Sequence, residues 1–125
     1  MKRLNTTELQ IMKYLWKHDR GFMKDIVAQF PSSGPAYTTV ATLVARMTDK
    51  GYIGFEKHGR DKEYYPKISR NSYFSGQVKD MVSHFFNDST SQFASFFTRN
   101  SDLSIEEMEE LQELLQRRIE EKRNG

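Results

Sequence analysis

The sequence predicts a mainly α-helical fold with one small β-hairpin, and three observations lead there. The first is the stretch 34–51, GPAYTTVATLVARMTDKG, which reads as a helix with two unlike faces. The second is its setting. Two shorter helical patterns precede it, and two aromatic-rich strand patterns joined by a basic turn follow it. The third is a division of charge. Residues 1–72 hold 13 Lys/Arg against 7 Asp/Glu, a net +6, whereas residues 73–125 hold 6 against 10, a net −4. A basic half is suited to a polyanion, and an acidic half is repelled by one. The expected domains are therefore 1–72 and 73–125.

The size fits this division. A chain of 125 residues with 37% hydrophobic and 13% aromatic content suits one domain, or a small domain plus an assembly element. Oligomerisation is an economical way to complete the core of so short a chain. The absence of cysteine excludes disulfides, iron–sulfur clusters and thiolate metal sites. The opening MKRLNTTELQ is basic but leads into no apolar leader core, and no run approaches a membrane span. The expectation is a soluble, cytoplasmic protein with no direct membrane insertion. Lys2 and Arg3 are expected to be no more than a disordered end.

Taken in order, Leu4-Asn5-Thr6-Thr7-Glu8-Leu9 is a helix start. Asn5 caps, Glu8 reciprocates three residues on, and Leu4 staples onto Leu9. The helix buries Ile11, Met12, Leu15 and Trp16 and ends near Gly21. A second helix over 23–30 turns Ile26, Val27 and Phe30 inward, and Pro31-Ser32-Ser33-Gly34-Pro35 stops it. In the third helix, over 36–50, Val40, Leu43, Val44 and Met47 fall at i, i+3, i+4 and i+7, an apolar stripe. Its other face holds Tyr37, Thr38, Thr39, Ala41, Thr42, Ala45 and Arg46. An idle exposed face would carry Glu, Lys and Gln. Threonine is a poor helix former, so three of them on one outward face indicate that the face touches something.

Gly51 is expected as the left-handed residue that ends this helix. Residues 52–57 and 63–68 are strand-like, and His58-Gly59-Arg60-Asp61-Lys62 forms a charged tip between them. Pro66 is tolerable only near an edge. Beyond Ser69 the pattern turns helical. Residues 73–86 place Val78, Met81, Val82, Phe85 and Phe86 on one side. Asn87-Asp88-Ser89 breaks the chain before a short helix with Phe93, Phe96 and Phe97, and Asn100-Ser101-Asp102 breaks it again. Leu103-Ser104-Ile105-Glu106-Glu107-Met108 repeats the capping-box signature, and the last helix shows Met108, Leu111, Leu115 and Ile119 in a stripe. So many Phe on three short helices call for a second copy to cover them. Val78, Met81, Val82, Phe85, Phe93, Phe97, Leu111 and Leu115 are the expected dimer interface.

Helix, helix, small-polar helix and charged hairpin is the order of a winged helix-turn-helix DNA-binding domain, here followed by a three-helix dimerisation domain. In that frame Tyr37, Thr38, Thr39, Thr42 and Arg46 face the major groove. Threonine can bond to phosphates or bases, and its methyl can meet the thymine methyl. Arg60 and Lys62 on the hairpin tip are expected on phosphate, although a charged tip also serves to blunt aggregation.

Leu4…Glu8…Ile11-Met12…Leu15-Trp16, Ala36-Tyr37-Thr38-Thr39-Val40-Ala41-Thr42-Leu43, Lys50-Gly51-Tyr52, Tyr64-Tyr65-Pro66 and Asp102-Leu103-Ser104…Glu107…Glu110-Leu111 together resemble the penicillinase-repressor (BlaI/MecI-like) family. The resemblance covers essentially the whole chain. It implies a homodimeric repressor on a palindromic double-stranded DNA operator, often built on TACA/TGTA elements and linked to antibiotic resistance. It also implies release by a membrane sensor and protease system that cuts in the dimerisation domain. Phe96-Phe97 is the matching pair here, where the family commonly offers Asn-Phe. Ala41 stands where some relatives place a long basic or polar side chain, and the cysteine-rich tail of the copper-responsive branch is absent.

His18, His58 and His84 are scattered, without ligand spacing or nearby carboxylate pairs, so no metal site and no cofactor is expected. No Gly-rich phosphate loop or nucleophile elbow occurs, and no catalytic residues are expected. The competing reading is a winged helix that docks proteins without reading DNA. Salt separates the two, because phosphate-driven binding weakens steeply as salt rises.

Overall fold

The computed structural model describes residues 3–125; Lys2 lies outside them. The elements are α1 (Thr6–His18), β1 (Gly21–Phe22), α2 (Met23–Ala28), α3 (Tyr37–Asp49), β2 (Ile53–His58), β3 (Asp61–Pro66), α4 (Arg70–Phe85), α5 (Thr90–Asn100) and α6 (Ile105–Asn124). They form two compact units, one ending at Val78 and one spanning Lys79–Gly125.

The first unit is built on the face pattern of its helices. Asn5 accepts from the Glu8 N–H at 2.8 Å and donates its own N–H to Glu8 Oε1 at 2.9 Å, which closes the expected capping box. From that start α1 buries Ile11, Met12 and Leu15. They meet Ile26 of α2, Val40, Val44 and Met47 of α3, and Tyr52, Ile53 and Tyr64 of the sheet region. Each such aliphatic side chain removed from water is worth about 1.5–3 kcal/mol. Leu43 and Trp16 are only half-buried and pack on the margin of this core. Gly51 adopts φ +87°, the left-handed stop expected after α3.

The hairpin is part of a three-stranded antiparallel sheet of order β1-β3-β2. The third strand is an addition to the sequence reading. Gly21-Phe22 pairs with Tyr64 and Glu63 of β3. Two residues display no alternation, so nothing local marks them as a strand. The hairpin is also longer than expected toward its tip, with His58 opposite Asp61 and only Gly59-Arg60 between them. Pro66 opposes Ile53 at the open end of the ladder. Gly54 is required by close approach, since a Cβ there would lie 2.6 Å from the Tyr65 ring.

The compact unit ends within α4, beyond the expected break at 72/73, and contacts of its first turns explain why. The Leu4 N–H donates to the Tyr73 hydroxyl at 2.9 Å, a buried bond. The Trp16 ring lies 6.0 Å from Tyr73 and 5.8 Å from Phe74, and its indole N–H donates to the Ile68 carbonyl at 2.9 Å. The start of α4 thus belongs to the first core.

In the second unit Asn87, Asp88 and Asp102 take left-handed conformations at the two predicted breaks. Ser89 caps α5, and Ser104 with Glu107 forms the capping box of α6. Phe86 packs against Phe93 and Phe96, with ring centroids 5.6 and 5.4 Å apart, and Phe93 stacks on Phe97 at 6.2 Å. Even so, neither α5 nor α6 has a fully buried residue.

Candidate nucleic-acid interface

The burial of Val40, Val44 and Met47 turns the opposite side of α3 outward, and Tyr37, Thr38, Thr39, Thr42 and Arg46 are all exposed there. The threonines differ in what they can offer. Thr42 Oγ1 donates to the Thr38 carbonyl at 2.9 Å, one turn back. Its hydroxyl proton is therefore engaged within the helix, leaving a methyl and an accepting oxygen outward. No such bond engages Thr39 among the described residues.

Two groups of cations bracket this neutral face. At its start, Tyr37 lines a groove of about 440 Å³ together with Lys24, Arg60, Asp61, Lys62 and Tyr64. At its end, Arg46 and Lys50 line another with Arg3, Asn5 and Glu8. Nine residues of helix between Tyr37 and Arg46 span about 14 Å. The major groove of B-DNA is about 12 Å wide. Arg46, Arg60 and Lys62 were expected from the sequence. Arg3, expected only as part of a disordered end, joins Lys24 and Lys50 as cations that the sequence does not single out, because each lies on a different segment and only the fold gathers them.

The ladder register gives the wing two unlike faces. Opposed pairs share a face and alternate along the strands, so Phe55, Lys57, Lys62 and Tyr64 lie on one side. The Lys62 ammonium sits 4.5 Å from the centroid of the Phe55 ring. Burial pushes the Tyr64 phenol pKa up, with Tyr37 nearby adding to the shift, and the charged residues on this side are Lys57 and Lys62. Lys57 is a second cation here that the sequence reading did not single out.

The other side holds Glu56, His58, Asp61 and Glu63. His58 corrects the expectation that no histidine has carboxylates at hand: its Nε2 lies 3.2 Å from Glu63 Oε1. The cross-strand register brings these groups together although five residues separate them in sequence. One ligand atom from each of Glu56, His58 and Glu63 falls within 4.8 Å of the others. The guanidinium of Arg20 already bonds two of the three, at 3.2 Å to Glu56 and 3.2 Å to Glu63. The hydrogen bond to Glu56 is the main reason the Arg20 pKa is raised.

The penicillinase repressor family model matches residues 4–117. The chain belongs to the penicillinase repressor family. It is 26% identical over 115 residues to the penicillinase repressor of Bacillus licheniformis, covering 91% of this chain and 90% of that one. It is 21% identical over 116 residues to the methicillin resistance regulatory protein MecI of Staphylococcus aureus strain N315, covering 92% and 94%. The solution structure of the DNA-binding domain of the repressor BlaI superposes with a TM-score of 0.51 at 28% identity, covering 58% of this chain and 94% of that domain. The first unit is a winged helix-turn-helix domain, with α3 as its third helix and β2–β3 as its wing.

In this family member the remaining candidates lie along α4, α5 and α6. Within the single chain Val78, Met81, Phe85, Phe97 and Leu115 are exposed, Phe85 to 79% and Leu115 to 63%. Val82, Phe93 and Leu111 are half-buried. Phe96 and Phe97 are both exposed in the single chain, because α5 turns only part of its aromatic face onto Phe86. No helix among the described residues is long and apolar enough to cross a membrane.

Proposed function

We propose that the chain is a homodimeric transcriptional repressor acting in the cytoplasm, each copy laying α3 in the major groove of one half of a palindromic operator. The observation that carries this reading is the small, uncharged face Thr38–Thr39–Thr42, with cations gathered at both of its ends. Thr39 and Thr42 read base edges, with Thr38 and Tyr37 at the groove entrance. Arg46 holds phosphate at one end, and Arg60 and Lys62 hold it at the other. Membership of a family described as repressors supports the reading, as does likeness to a domain described as DNA-binding. The chemistry is binding rather than catalysis.

The exposed apolar stripes of α4–α6 support dimerisation through Val78, Met81, Val82, Phe85, Phe93, Phe97, Leu111 and Leu115. Release follows from weakening that interface. A cut at Phe96-Phe97 by a sensor-controlled protease would separate α6 and end the linked occupancy of two half-sites. The exposure of both rings supports access, whereas their position inside α5 requires the helix to open first. The test is fluorescence anisotropy of a labelled duplex from the DNA upstream of the gene against a scrambled duplex, over a salt series. Preference for the first, weakening steeply with salt, is the expected result. Salt-independent capture of a protein with no affinity for either duplex would favour the docking-module reading.

A further inference from the structure

We infer that Arg20 is a positioning residue for DNA binding: it ties down Glu56 and Glu63 on the acidic face of the wing and offsets one of their two charges, so that the wing's cations meet phosphate against less repulsion. The inference rests on the proposed DNA-binding reading and adds a residue outside the interface. The wing carries Glu56 and Glu63 directly opposite each other on one face. Like charges so placed destabilise a strand pair. Glu56 adjoins Lys57 and Glu63 adjoins Lys62 along the strands, well inside the Debye length of about 10 Å, so uncompensated negative charge there repels phosphates approaching those cations. A single guanidinium eases both problems by bridging the two carboxylates and offsetting one of their charges. Arg20 stands in the corner between α1 and β1 and reaches Glu56 with one terminal nitrogen and Glu63 with the other, each at 3.2 Å. Its central carbon lies 5.1 Å from the centroid of the Tyr65 ring on that same face. The planar fork is what the geometry uses, since a lysine has one nitrogen to divide between two carboxylates. His58 Nε2 touches Glu63 as well, 3.2 Å from the same Oε1 that Arg20 holds.

A double-mutant cycle with operator affinity as readout separates this role from the alternatives. Arg20→Gln should lower affinity three- to tenfold at low salt in the otherwise unchanged chain, and by less than twofold in an Glu56→Gln/Glu63→Gln background. Arg20→Lys should fall between. Lys17→Gln removes one exposed charge from α1 and sets the loss due to net charge alone. If Arg20 itself held phosphate, its removal would cost the same in both backgrounds and lower the salt slope by about 0.9; either outcome overturns the inference. Amide hydrogen exchange of residues 53–66 without DNA gives a second readout. Faster exchange in Arg20→Gln, at an unchanged melting temperature of the core, is expected. Unchanged exchange together with a background-independent loss would refute the role. An unmodified chain with no affinity for duplex DNA would instead refute the binding reading, leaving the exchange result to stand on its own.

Discussion

Replacing Thr39 and Thr42 by valine, one at a time, should have unequal consequences, and the inequality follows from a single hydrogen bond. Valine keeps the shape and β-branching of threonine and has a similar helix propensity, so folding is matched. Thr42 already spends its hydroxyl proton on the Thr38 carbonyl at 2.9 Å. Valine keeps the outward methyl and gives up only an accepting oxygen whose proton is already spent within the helix, so little is removed from the proposed interface. Thr42→Val should bind operator within about threefold of the parent, an effect below 0.7 kcal/mol on the scale where tenfold is about 1.4 kcal/mol. In the proposed reading Thr39 keeps its hydroxyl for a base edge. Its loss should cost about 1–3 kcal/mol per half-site, roughly five- to 150-fold, and twice that free energy on a full palindrome occupied by two copies. The assay is anisotropy titration of operator and scrambled duplexes, with thermal melts to confirm equal folding. Equal losses in the two variants would refute the assignment of hydroxyl roles. A Thr39→Val loss that is the same on both duplexes would show that the residue holds phosphate and reads no base.

Other consequences are as direct. Neutralising Arg46, Arg60 or Lys62 singly should weaken binding on any sequence and reduce the salt slope by about 0.9 each, read from titrations at several salt concentrations; three unchanged slopes would remove these residues from the backbone contacts. A fragment ending at Val78 should sediment as a folded monomer while the full chain sediments as a dimer, whereas a stable dimer of the fragment would move the interface into the first unit. Cutting at residue 68 is the wrong experiment, because it deletes Tyr73 and Phe74 from the Trp16 surface. Tyr73→Phe should destabilise the first unit by about 1–3 kcal/mol in denaturant unfolding, since it orphans the buried Leu4 N–H; a change under 0.5 kcal/mol would show that another group takes the bond.

Much of the fold was legible because its signals are local. The capping boxes at Asn5 and Ser104 were readable from two residues three apart, and both form. The stripe Val40, Val44 and Met47 needed only helical periodicity, and its burial sets which face of α3 is outward. What escaped depends on cross-strand register and on the gathering of distant segments. β1 is two residues long and exists only because β3 offers it an edge. The carboxylates around His58 were invisible because register, not sequence distance, places Glu63 beside it. Lys24 and Lys50 carry no pattern of their own and join the interface only through the packing of α2 and α3 beside the wing and the α1 start. Tyr73 looked like the first residue of a second domain, because a helix pattern does not reveal which core its first turn will enter.

The central claim is that α3 reads DNA in pairs of half-sites. Its most direct test is a nuclease footprint of the full chain on the DNA upstream of its own gene, run beside Thr39→Val at equal concentration. Two protected stretches related by two-fold symmetry are expected, with centres about 10–10.5 base pairs or a multiple apart, both fading in the variant. Uniform protection without sequence preference, or a symmetric footprint that Thr39→Val leaves intact, would contradict it.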